Sequence, residues 1–110
     1  MEEIILHDRL TNTQLLNIVA EYYEIPPNLI LSRDKDREVA DARFIYYRLL
    51  KDKGYTQKYI GKITGGRTHG TVSAGLAKVG YIPELIDAYD ILNSTKHTRV
   101  KQLQNQNPVK

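Results

Sequence analysis

The 110-residue chain predicts an all-α domain, a small helical bundle containing a helix-turn-helix. Two observations carry this prediction. Apolar residues recur at helical spacing in successive stretches, separated by capping residues, prolines and glycines. Two of those stretches, one short, stand on either side of the string GGRTHG, which cannot build a core. A short helix, a glycine-containing turn and a second helix form the helix-turn-helix pattern.

Each element follows in order. Thr11 with Gln14 has the form of a capping box. Behind it Leu15, Ile18, Val19 and Tyr22 make one stripe. Pro26-Pro27 ends that helix, because the ring removes a donor and clashes with the preceding turn. The charged stretch SRDKDREVADAR leads into a second helix with the stripe Val39, Ala42, Tyr46, Leu49 and Leu50. Gly54 is its expected left-handed stop. Thr56 is the expected cap of a short third helix, with Tyr59, Ile60 and Ile63 facing inward. Gly65-Gly66 break it. A fourth helix is expected from about Thr68 to Val79. Pro83 sits near the first turn of a fifth, with the stripe Leu85, Ile86, Tyr89 and Leu92. From Ser94 onward there are basic residues and no acid, which reads as a polar, frayed tail. The expected division is an N-terminal extension (1–10), the helix-turn-helix domain (11–95) and a basic polar tail (96–110). Tyr22, Tyr46, Tyr59 and Tyr89 are expected in the core, while Tyr47, Tyr55 and Tyr81 are uncommitted.

Composition excludes several classes. Hydrophobic content of 41% suits a folded globule. Sixteen Lys and Arg against thirteen Asp and Glu give +3, a mild bias that permits a polyanionic partner. Without cysteine there are neither disulfides nor thiolate metal sites. No apolar run reaches the roughly 20 residues of a membrane span. The start, MEEIILHDRL, is too short in its apolar part for a secretory signal. A cytoplasmic, monomeric protein is expected, with no membrane association. His7, His69 and His97 are too scattered for a zinc site. Gly61-Lys62 with Thr64 resembles a phosphate loop only superficially, since the earlier glycine is absent and Ile63 follows the lysine. The expectation is no enzyme activity, no catalytic residue, no cofactor, no metal and no small-molecule substrate.

The helix-turn-helix suggests the chemistry. Taking Val72 as the centre of the buried face puts Leu76 and Val79 beside it. Gly70, Ser73, Ala74 and Ala77 fall on the far side, nearly free of bulk. Such a helix can sit close to a groove floor, with its N-terminal residues at base edges. Its first turn offers unpaired N–H groups suited to a phosphate. Arg67 and His69 supply donors near that end.

Three blocks, NIVAEYYEIPPNLILSR, VADARFIYYRLL and IGKITGGRTHGTVSAGLAKV, carry a resemblance. In order and spacing they resemble the C-terminal DNA-binding domain of the bacterial chromosomal replication initiator DnaA. The family signature, Gly-Gly-Arg-Asp-His-Thr-Thr-Val, corresponds to Gly65 through Val72. The likeness covers roughly Thr13 to Asn93. It implies duplex DNA as partner, read in the major groove by the stretch Thr68, His69, Gly70 and Thr71. Within it, His69 would hydrogen-bond a base and the Thr71 methyl would touch thymine. It implies a phosphate for Arg43 and places Lys51 and Thr56 along the backbone. Lys35 falls where the family sends an arginine into the minor groove, with Arg37 in the same loop. Arg67 and Lys78 complete the expected backbone contacts.

The departures also carry information. Thr68 replaces the family's aspartate and Gly70 the next threonine, removing two polar base contacts. Ala74 replaces a histidine, and Phe44 a polar residue. Two acids dilute the basic loop, Arg33-Asp34-Lys35-Asp36-Arg37. The sequence contains no ATPase domain, so origin unwinding by this chain alone is not expected. A free-standing domain of this kind suggests a mobile-element or phage accessory protein, or a truncated regulator. Two functions follow. One is sequence-specific duplex binding, accessory to replication, at a site other than the initiator's usual nine-base box. The alternative is an interaction module that kept the fold and lost DNA reading, binding a replication protein through Tyr47, Phe44 or the C-terminal tail.

Overall fold

A computed structural model describes residues 10–105, with side chains described for residues 10–98. Among the described residues there are six helices and no strand: α1 (Asn12–Tyr23), α2 (Pro27–Ile30), α3 (Arg37–Asp52), α4 (Gln57–Ile63), α5 (His69–Tyr81) and α6 (Pro83–Asn105). The fold is the all-α bundle that the sequence predicts.

Local chemistry sets the ends of the helices. Thr11 and Gln14 close a reciprocal capping box at 2.8 and 3.1 Å. Helix α1 ends with Glu24 in the left-handed region at φ 57°. The proline pair does more than stop it. Pro27, with its φ already helical, opens the one-turn α2. That turn places Ile30 in the core. Gly54 takes φ +101° beyond α3, as its sequence position suggests.

Helix α3 is the spine, packing against each of the other five. A helix surrounded in this way buries more than one stripe. Val39, Ala42, Tyr46, Leu49 and Leu50 are buried as expected, and Ile45 and Tyr47 join them from neighbouring faces. Helix α5 lies against α3 at Gly75, where a Cβ would stand 2.6 Å from Phe44 Cδ1 and 3.0 Å from Tyr47 Cδ2. Phe44 thus packs under α5.

Three aromatic or aliphatic positions depart from the expected stripes. Tyr22 is 40% exposed, Tyr59 41% and Ile86 36%. On α6 the buried line is Leu85, Ala88 and Leu92, and Ile86 falls to its side. Tyr22 instead meets Tyr23 edge-on at 5.0 Å. Tyr89 hydrogen-bonds Asp52, and Arg48 lies 4.5 Å over its ring, tying α3 to α6.

The expected N-terminal extension falls almost wholly outside the described residues, as do residues 106–110 of the tail. Helix α6 runs through Asn105, into the polar stretch that begins at Ser94. The reason is legible: no Gly or Pro occurs between Pro83 and Pro108. No helix among the described residues is long and apolar enough to cross a membrane.

Candidate nucleic-acid interface

The interface is built on the turn between α4 and α5. Thr56 caps α4 through the Tyr59 amide at 3.1 Å. Ile60 is fully buried. Gly65 and Gly66 then take φ of +101° and +74°, conformations that exclude most side chains. The chain doubles back until the Arg67 amide donates to the Gly61 carbonyl at 2.8 Å. A Cβ on Gly61 would stand 2.1 Å from the Arg67 carbonyl oxygen. Glycine at position 61 is therefore what allows the turn to close.

Thr68 caps α5, accepting from the Thr71 amide at 3.2 Å. Its hydroxyl also lies 3.1 Å from that of Thr71. Val72 and Val79 are buried and Leu76 half-buried. His69, Gly70, Thr71, Ser73, Ala74 and Ala77 are exposed. The outer face of α5 is thus as smooth as the sequence indicates.

An open groove runs beside this first turn, lined by Thr56, Lys58, Tyr59, Lys62, Gly66, Arg67, Thr68 and His69. Among the described residues its lining contains no carboxylate. It gathers four of the candidate residues, Thr56, Arg67, Thr68 and His69, with Gly70 and Thr71 next along α5. Sequence reasoning missed Lys58, Tyr59 and Lys62. At about 100° per residue, Lys58 and Lys62 lie opposite Ile60, so the pattern did carry a signal for the lysines. Tyr59 leans on Tyr55, ring centroids 4.9 Å apart, and presents an aromatic surface to the groove.

The other candidates are dispersed. Lys51 lines a second groove with Gln57, Ser73 and Ala77. Lys78, on the last turns of α5, holds its Nζ 5.1 Å over the Phe44 ring. Lys35 and Arg37 are exposed at and just before the start of α3, with Arg37 3.9 Å from Asp41. The loop carrying Lys35 is internally braced. Ser32 Oγ donates to the Leu29 carbonyl at 2.6 Å and accepts the Asp34 amide at 3.1 Å. Asp34 Oδ1 accepts the Asp36 amide at 2.8 Å.

Arg43 sits differently from the phosphate-holding position that the resemblance implies. It is only 5% exposed. Its Nε donates to the Ile30 carbonyl at 2.8 Å, and Nη2 to the carbonyls of Leu29, Ser32 and Asp34 at 3.2, 2.8 and 3.0 Å. Arg67 also turns inward, donating to the carbonyls of Thr64 and Ser32. Burial lowers the Arg43 pKa, and the like charge of Arg67 lowers it further. The Tyr47 hydroxyl is buried near the same two guanidiniums. Burial raises its pKa, and the two cations pull against that rise.

A helix-turn-helix with an exposed, unobstructed second helix and a basic groove at its first turn defines a DNA-binding module. The family model described as "Bacterial dnaA protein helix-turn-helix" matches residues 13–79, more than half of the chain. The chain belongs to that family, a non-catalytic family of replication initiation whose domains bind double-stranded DNA. The matched region takes in α2 to α4 and nearly all of α1 and α5.

Proposed function

We propose that the chain binds double-stranded DNA in a sequence-specific way through the first turn of α5. Its target differs from the initiator's usual nine-base box, and its role is accessory to replication or its regulation. The observation that carries this reading is the carboxylate-free groove of Lys58, Tyr59, Lys62, Arg67 and His69 beside the exposed turn. His69 donates to or accepts from a base edge, and the Thr71 methyl meets a thymine methyl. Lys51, Lys58 and Lys62 neutralise phosphates, and Lys35 enters the minor groove. Thr68 offers the capping hydroxyl where the family has a carboxylate, and Gly70 offers no side chain. These two positions change the readout.

Selection from a random duplex pool at near-physiological salt tests the reading. It should enrich a defined motif distinct from the nine-base box. Enrichment of that box would contradict the reading of Thr68 and Gly70. A second reading is an interaction module for a replication protein. Tyr47 is fully buried and Phe44 packs under α5, so neither offers the expected surface, and this reading draws instead on Tyr81 and Ile91, which are 65% and 50% exposed. It would stand alone if no duplex were retained even at low salt.

A further inference from the structure

The turn that leads into α5 and the loop from Leu31 to Asp36 meet at one carbonyl, although the residues joined there, Ser32 and Arg67, are 35 apart in sequence. Ser32 O accepts from Arg43 of α3 at 2.8 Å and from Arg67 of the turn. A carbonyl has two lone pairs, so it can serve both guanidiniums at once. The Arg67 guanidinium also holds the Thr64 carbonyl on its own side. Arg33 reaches in the opposite direction, from the loop to the Gly65 carbonyl at 3.3 Å. The fit is close, since a Cβ on Gly65 would lie 2.7 Å from the Leu31 carbonyl oxygen and 2.6 Å from Arg67 Nη1.

Two cations drawn together oppose folding, and the like-charge effect on Arg43 registers that opposition. What the arrangement supplies is a fork, in which planar donors bind carbonyls from two segments and fix their relative position. We propose that Arg67 is a positioning residue. It locks the Lys35 loop to the recognition helix through Ser32, so that minor-groove and major-groove contacts fall in register. This rests on the DNA-binding reading for its consequence, but the lock itself exists without DNA.

The test has a DNA-free arm and a DNA arm. Amide hydrogen exchange on the wild-type protein should show Asp34, Asp36 and Arg67 opening together. Independent opening of the loop and the turn would overturn the lock, whether or not the protein binds DNA. Arg67→Lys keeps the charge and loses the fork, while Arg67→Ala loses both. Each should speed exchange at Asp34 and Asp36 by about tenfold. Each should also lower discrimination between a selected site and random duplex by about tenfold, with the salt slope unchanged. Lys62→Ala is the contrast: it should reduce the slope by about one and leave loop exchange alone. If Arg67→Ala reduced the slope by about one with loop exchange as in wild type, Arg67 would be a phosphate contact and the proposal would fail.

Discussion

Replacing Gly61 by alanine should collapse the turn on which the interface stands. In an unobstructed helix the change would stabilise by about 1 kcal/mol, because glycine is the poorer helix former. Here the new methyl would lie 2.1 Å from the Arg67 carbonyl oxygen and 3.0 Å from its carbon. Those are backbone atoms and cannot swing aside. Overpacking of this kind costs about 1–3 kcal/mol. Pushing Arg67 away also breaks its 2.8 Å amide bond to the buried Gly61 carbonyl, which keeps only the long 3.5 Å contact of the Thr64 hydroxyl, at a cost of roughly 1–3 kcal/mol. Against the helix gain, a net loss of about 1–5 kcal/mol remains. In a domain of this size that is a fall in melting temperature of roughly 5–30 °C. Thermal unfolding followed by circular dichroism measures it. Gly70→Ala is the internal control, since its Cβ would meet nothing nearer than Thr68 Oγ1 at 3.9 Å. That variant should melt at or slightly above wild type. If Gly61→Ala did the same, the account of the turn would be wrong.

Three further outcomes are expected. Val72→Asp should leave the domain unfolded at 25 °C by circular dichroism, because an unpaired charge would enter a fully buried site; a native spectrum and melting temperature would refute the helix phase. Arg43→Ala should lower stability by about 3 kcal/mol in denaturant titration, since the buried carbonyls it serves lose their donor; a fully stable variant with a salt slope reduced by one would return Arg43 to a phosphate role. Burial first, joined at Tyr89 by its bond to Asp52, pushes the hydroxyls of Tyr46 and Tyr89 up to about 12 from 10.0. The folded state therefore holds these protons more tightly, so their contribution is complete below pH 10 and lost as pH rises through 12. Melting temperature should fall across that window, and less steeply in Tyr89→Phe.

The parts of the fold that were legible rest on local chemistry. The capping box at Thr11, the caps at Thr56 and Thr68 and the Gly65-Gly66 break are written within a few residues of where they act. So is the phase of α5, where Val72, Leu76 and Val79 agree over two turns. Tyr59 misled because α4 has only seven residues, and two turns with a single fully buried side chain, Ile60, do not fix a face. Helix α2 is one turn, too short for any periodic signal. The burial of Arg43 was not legible at all. Its partners are main-chain carbonyls nine to fourteen residues away, brought to it by the packing of α2 on α3. A sequence pattern marks a cation as surface by default and cannot show a loop closing over it. Family resemblance pointed to the outer face of α5, which the structure leaves open. It did not point to Tyr59, Lys58 and Lys62, which line the same groove.

The most direct measurement is a pair of duplex titrations at near-physiological salt, comparing wild type and His69→Ala on a selected site and on random duplex. The account predicts that the variant loses about 1–3 kcal/mol on the selected site and little on random DNA, because His69 reads a base. Equal losses on both would make His69 a backbone contact and remove base readout from the first turn of α5. An absence of duplex affinity in the wild type, persisting at low salt, would contradict the central claim outright.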